Sequence, residues 1–242
     1  MKISRKFRRL IPFLAALILG ASGFSRAHAD GAEGVAVAIV YDTSGSMNNP
    51  VRDGTGRMTP KHVVAKRALE AVVRQLQTFV RAAPADAPRT LHAGLYVFSG
   101  KSPTEFIRLA PFDGKNVDIW TRNLPPPSSG TPLGNALETA SHAVLKSPLS
   151  RKHVLVITDG INSVGPDPAR VLPGIQALAQ KKHADLSVHF IAFDVDANVF
   201  DPLKKLGVTV AGAANEAQLN TQLGFILEKK ILLESEEPPK KN

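Results

Sequence analysis

The sequence contains no cysteine, one tryptophan, two tyrosines and three methionines. Without cysteine there can be no disulfide, no lipidated cysteine anchor and no thiol nucleophile, so stability must come from the core, with bound metal as the other available support. An unbroken apolar stretch of the roughly 20 residues that a membrane-spanning helix needs is also missing. The longest candidate, Leu10 to Leu19, is too short and is interrupted by Pro12 and bounded by Gly20. Acidic residues are absent from the first 29 positions, where Lys2, Arg5, Lys6, Arg8 and Arg9 precede that apolar run and Ala27-His28-Ala29 follows it. This order of basic, apolar and small residues reads as a signal peptide over residues 1–29, cleaved after Ala29. An uncleaved leader, the alternative, would tether the same domain outside the membrane. Arg8-Arg9 leaves the general and twin-arginine routes both open. The expectation is an exported protein, periplasmic or secreted, with no stable membrane insertion after cleavage.

The formal charge of +9 loses its meaning once the leader is set apart, because removing its six basic residues leaves +3. With no dense basic cluster interleaved with aromatics, there is no electrostatic footprint for DNA or RNA. Nucleic acid is excluded as an expected partner.

What is present is alternation. Gly34 to Tyr41 is a nearly continuous Val/Ile/Ala run, the mark of a strand buried on both faces of a parallel sheet, and it ends at Asp42. Lys61 to Ala82 spaces Ala65, Leu69, Val72, Leu76 and Val80 at three and four residues, which predicts an amphipathic helix stopped before Pro84. Leu91 to Phe98 reads as a strand, and Thr104 to Leu109 as a shorter one pairing with it antiparallel at the sheet edge. A short helical turn is expected near Val117 to Trp120, then a loop at Pro125 to Gly130. Further elements follow: a helix from Pro132 to Leu145, a strand from Val154 to Thr158, a helix from Pro168 to Lys182 and a strand from Leu186 to Phe193. A short helix near Pro202 to Leu206, a strand at Val208 to Val210 and a helix from Glu216 to Leu233 complete the series. At 43% hydrophobic composition the chain can bury one continuous α/β core. The expected fold is a doubly wound, mostly parallel central sheet with helices on both faces and one antiparallel edge strand, over residues 30–233, followed by a charged tail at 234–242.

In such sheets the site lies where strands end. Asp42 and Asp159 both stand at predicted strand ends. Asp42, Ser44 and Ser46 can turn three oxygen-bearing side chains toward one point, and hard oxygen donors of low total charge suit a small divalent cation such as Mg²⁺. Three motifs occur in order: Asp42-Thr43-Ser44-Gly45-Ser46 after the first strand, Gly130-Thr131-Pro132-Leu133 opening a helix, and Ile157-Thr158-Asp159-Gly160 after a central strand. In kind, order and approximate spacing this set resembles the von Willebrand factor A family, with its metal-ion-dependent adhesion site, over roughly Gly34 to Leu227. The resemblance implies that Ser44, Ser46 and Thr131 bind the metal through hydroxyls, while Asp42 and Asp159 reach it directly or through water. The metal would be Mg²⁺, with Mn²⁺ or Ca²⁺ as alternatives. A coordination position left open would accept an Asp or Glu carboxylate from a protein partner. Surrounding loops would choose that partner, and the positions expected there are Met47, Asn48, Asn49, Arg52, Ser129, Gly130 and Asn162.

Each motif alone has a plainer reading. Asp-x-Ser-x-Ser is common in turns, Thr131 could cap a helix and Asp159-Gly160 could be a turn. Their joint occurrence at element ends favours the metal site. No catalytic residue is expected. Aspartyl-phosphate chemistry needs a second Asp where Ser44 stands, a paired-aspartate protease needs two Asp-Thr/Ser-Gly copies, of which Asp42-Thr43-Ser44 breaks the first and no second exists, and no G-x-S-x-G elbow occurs. The alternatives to adhesion are a metal-stabilised scaffold and a Mg²⁺-dependent hydrolase. The histidines lack ligand spacing and read as surface or structural.

Overall fold

The computed structural model describes residues 32–233; the expected signal peptide and the expected tail lie outside the described residues. Strands β1 (Ala32–Asp42), β4 (Leu91–Ser99), β5 (Ser102–Pro111), β6 (Leu149–Thr158), β7 (Asp185–Phe193) and β8 (Thr209–Ala213) form one sheet in the order β5-β4-β1-β6-β7-β8. All neighbours run parallel except β5, which returns antiparallel along β4 at the edge, as the sequence led one to expect. The separate ribbon of β2 (Pro50–Arg52) and β3 (Met58–Pro60) is a small antiparallel hairpin inserted after the first site motif.

The continuous apolar run of β1 is explained by its central place. Val35 to Val40 are fully buried, because one face of the strand packs under one helix layer and the other face under the second. Odd positions Val35, Val37, Ile39 and Tyr41 join a core with α1 (Lys61–Arg81) and α5 (Glu216–Ile226). Even positions Ala36, Ala38 and Val40 join a core with α2 (Leu133–Val144) and α3 (Pro168–Lys181). A short α4 (Asp201–Lys204) precedes β8. At the start of α2, a Cβ on Gly134 would collide with the carbonyl oxygen of Pro166, so glycine there lets the loop before α3 lie against the helix. None of the helices among the described residues is long and apolar enough to cross a membrane.

Two departures from the sequence reading have clear causes. The final helix was expected to stay α-helical to Leu233, but after Ile226 it widens into a π-helical segment, Leu227–Leu232, in which the Leu233 N–H donates to the Glu228 carbonyl at 3.0 Å. Five-residue bonding lines up Leu227 with Leu232 and buries both together with Ile231, which α-helical spacing would not do. The β2–β3 hairpin fell below recognition because each strand is three residues long and carries a proline. Its turn is built by Asp53, whose Oδ1 accepts from the Thr55 and Arg57 N–H groups at 2.9 and 3.0 Å and whose Oδ2 accepts from the Thr59 hydroxyl at 2.9 Å. The Thr55 hydroxyl, which donates to Oδ1 at 2.8 Å, and then the Thr59 hydroxyl and the two N–H groups hold the Asp53 carboxyl well below the usual carboxylate range.

The core also contains a polar pair. His153 on β6 and His189 on β7 are 2% and 3% exposed, with ring centroids 5.6 Å apart and planes 20° from parallel. His153 Nδ1 and His189 Nε2 share a hydrogen bond at 3.4 Å, and the outer nitrogens, His153 Nε2 and His189 Nδ1, have no partner. Both residues lie within the sheet, on β6 and β7.

Candidate metal centre

The chain leaves β1 toward one side of the sheet and β6 toward the other, so the ends of β1 and β6 form the point where strand order reverses. Tyr41 pairs with Ile157 in that register, which sets Asp42 beside Thr158 and Asp159. Asp42 is fully buried. Its Oδ1 accepts from the Ser44 N–H at 2.7 Å and its Oδ2 from the Thr158 hydroxyl at 2.6 Å. Burial pushes the Asp42 carboxyl up to about 6; hydrogen bonds from Ser44 and Thr158 pull against that rise and the nearby charge of Asp159 adds to it. A buried carboxylate of this kind favours a cation.

A 3₁₀ turn over Gly45–Asn48 brings the two serines together, with Ser44 Oγ 3.1 Å from Ser46 Oγ. The Ser46 hydroxyl donates to Asp159 Oδ1 at 2.7 Å. The loop before Thr131 is laced to this turn: the Ser128 N–H donates to the Thr43 carbonyl at 2.9 Å and the Gly45 N–H to the Ser129 carbonyl at 3.0 Å. Thr131 is held on its other side by Ser163, whose hydroxyl accepts from the Thr131 N–H at 2.8 Å. Gly160 completes the arrangement, since a Cβ there would lie 3.5 Å from Thr131 Oγ1 and 3.7 Å from Ser46 Oγ. All five expected ligand positions, Asp42, Ser44, Ser46, Thr131 and Asp159, therefore meet at one edge of the sheet. Their donors are three hydroxyls and two carboxylates, a hard set, and among the described residues no group of three or more His, Asp or Glu side chains gathers to offer a softer or more charged one.

A sequence model of the von Willebrand factor type A domain matches residues 36–224, most of the chain. The chain belongs to the von Willebrand factor A family. Among solved structures, this von Willebrand A domain is similar to the PilB minor pilin of Streptococcus sanguinis, with a TM-score of 0.57 at 16% identity over 80% of this chain and 60% of that one. It is similar to the von Willebrand domain of the type V pili tip protein Mfa5 of Porphyromonas gingivalis, with a TM-score of 0.57 at 13% identity over 81% of this chain and 95% of that one. It is also similar to proximal thread matrix protein 1 of the mussel byssus with a zinc-occupied adhesion motif, with a TM-score of 0.56 at 14% identity over 82% of this chain and 48% of that one. The chain thus spans about 60% of the pilin and about half of the byssus protein. At these identities the likeness concerns the fold. No curated protein matches in sequence.

The domain places the expected partner loops unevenly. Asn48, Asn49, Arg52 and Ser129 are exposed, Arg52 on the β2–β3 ribbon with its guanidinium donating to the Gly56 carbonyl at 3.0 Å, and Gly130 is half-buried. Met47 must be removed from that surface: it is fully buried, because the 3₁₀ turn that aims the serines outward aims the next side chain into the core under α1. Asn162 is half-buried and already engaged, its Oδ1 accepting from the Gly134 N–H at 3.2 Å and its Nδ2 donating to the Gly165 carbonyl at 3.1 Å. It shapes the loop between β6 and α3.

Three contributors escaped the sequence reading. Thr158 lies inside the Ile157-Thr158-Asp159-Gly160 motif, yet only the strand register brings its hydroxyl onto Asp42. Lys61 opens α1 with its side chain 6% exposed, and its Nζ donates to Asp159 Oδ2 at 3.1 Å and to Asp194 Oδ2 at 3.0 Å. Burial opposes the Lys61 ammonium, but hydrogen bonds to Asp194 and Asp159 and their charges outweigh it and hold the group above the ordinary lysine value. Asp194 follows β7 in a left-handed conformation, with φ of 51°. The available signals were a cation at the first turn of a helix, where the macrodipole disfavours it, and a third aspartate directly after a strand.

Proposed function

We propose that this von Willebrand A domain binds a protein partner through a divalent metal held by Ser44, Ser46, Thr131, Asp42 and Asp159. The observation that carries the reading is the gathering of the Ser44 and Ser46 hydroxyls beside two buried carboxylates at the switch point, with Thr131 Oγ1 and Ser46 Oγ both flanking Gly160. Such donors suit Mg²⁺, which tolerates few carboxylates. The zinc-occupied motif of the similar byssus protein lends support to a divalent ion in this position. When bound, the metal supplies a Lewis-acidic position open to a carboxylate. The chain's own residues do the rest. Thr158 and the Ser44 N–H fix both oxygens of Asp42, Ser46 and Lys61 fix those of Asp159, and Ser163 fixes the backbone at Thr131. Asn48, Asn49, Arg52 and Ser129 would form the rim around a partner's Asp or Glu.

The protein acts on this reading as an exported binding module and not as an enzyme. The similarity to pilus proteins supports placement outside the cytoplasm. The test is affinity capture from an envelope extract with the purified protein as bait, in Mg²⁺, in EDTA, and with Asp159→Ala. A partner retained only by the unsubstituted protein in Mg²⁺ is the expected result. A partner retained equally in all three arms would refute metal-dependent binding and favour a scaffold whose metal only steadies the loops.

A further inference from the structure

Lys61 is a costly residue to place where it stands. A cation at the first turn of α1 meets the positive end of the helix, and a side chain that is 6% exposed loses hydration. The compensation is geometric: the ammonium lies 3.1 Å from Asp159 Oδ2 and 3.0 Å from Asp194 Oδ2, and the Lys61 N–H donates to the Asn49 carbonyl at 2.9 Å, which anchors the residue to the end of the site turn. The Asp159 side chain is fully buried, whereas that of Asp194 is 39% exposed and open to water, so the charge of Lys61 is felt mainly at Asp159.

The consequence is a matter of charge. Asp42 and Asp159 together would neutralise a divalent ion, and a neutral site has little pull on a further anion. We infer that Lys61 is a positioning and charge-setting residue of the adhesion site: by fixing and offsetting Asp159, it weakens the hold on the metal and leaves the loaded site more positive than Asp42, Asp159 and the exposed Asp194 alone would make it, which strengthens its hold on a partner carboxylate. This rests on the metal-dependent reading above. It also orients Asp159, since with Oδ2 taken by Lys61 and Oδ1 by Ser46 the carboxylate is held in one rotamer.

The test compares the unsubstituted protein with Lys61→Met, Lys61→Arg and Asp194→Asn. Mn²⁺ is titrated by calorimetry, and acetate is then added to the Mn²⁺-loaded proteins while water proton relaxation reports occupation of the open position. Loss of one nearby charge is expected to tighten Mn²⁺ by about tenfold in Lys61→Met and to weaken acetate by a similar factor. Lys61→Arg, which keeps the charge, is expected within about threefold of the parent in both. Asp194→Asn, which gives Lys61 over to Asp159, moves both in the direction opposite to Lys61→Met. The Mn²⁺-induced rise in melting temperature should also be largest in Lys61→Met, where the metal replaces the missing counter-charge. If Lys61→Met fails to fold, the opposed shift in Asp194→Asn decides. Saturable Mn²⁺ binding in the parent with unchanged affinities in the variants would overturn this inference alone, whereas no Mn²⁺ binding in the parent would overturn the adhesion-site reading and this inference with it.

Discussion

The Ser44→Ala/Ser46→Ala double variant is expected to fold as the parent does and to lose more than about a hundredfold in Mn²⁺ affinity. Outer-sphere partners alone change metal affinity by about 10–100-fold, and this variant removes two proposed direct donors. The fold should survive because the Ser44 backbone N–H, which alanine retains, still donates to Asp42 Oδ1 at 2.7 Å. What is lost is the contact between the two hydroxyls at 3.1 Å and the bond from Ser46 to Asp159 at 2.7 Å. Lys61 continues to hold the other oxygen of Asp159. The signal of free Mn²⁺ in electron paramagnetic resonance measures the loss directly. A double variant that binds as the parent does would remove the serines from the site.

Acid should destabilise the metal-free protein through the buried histidine pair. Burial first, then the charges of His189 and Arg151, lowers His153 to about 3, and burial, then the charge of Lys230, lowers His189 to about 4. Unfolded histidine titrates near 6.5. Each group therefore takes up its proton earlier in the unfolded chain, so stability is complete above pH 6.5 and falls as pH drops toward the folded values. His92, also lowered by burial, adds in the same direction. Asp42 acts oppositely: its carboxyl, raised to about 6, lets the folded state gain relative stability as pH falls from 6 toward the ordinary aspartate value. Between pH 7 and 5 the two histidines cost about 4 kcal/mol and Asp42 returns about 1 kcal/mol, leaving a net loss of about 2–3 kcal/mol. Urea unfolding midpoints at the two pH values, in EDTA, should show it. In His153→Leu/His189→Leu the loss should vanish or reverse, since Asp42 then dominates. An undiminished acid loss in that variant would mean that the pair does not carry the effect.

The parts legible in the sequence were those in which one residue type reports one local constraint. Val35 to Val40 announced a strand covered on both faces, and Asp42 and Asp159 marked the ends of two strands whose adjacency the doubly wound order then supplied. The spacing of Ala65, Leu69, Val72 and Leu76 fixed α1 to within a residue of its observed end. The parts that were not legible depend on register or on contacts between distant segments. His153 and His189 meet only because β6 and β7 pair with Leu155 opposite His189, a relation that no spacing rule contains. Lys61 was legible only as the first residue of an amphipathic helix, and the start of that helix is tied to Asn49 and pressed against the site. Met47 looked like loop because its neighbours are small and polar, and only the geometry of a single 3₁₀ turn sends its side chain inward.

Isothermal titration of Mg²⁺ into the metal-stripped protein tests the central claim most directly. One saturable event at one ion per chain, abolished in Asp42→Ala, is the expected result; absence of binding at millimolar Mg²⁺, or binding indifferent to Asp42, would contradict the metal site.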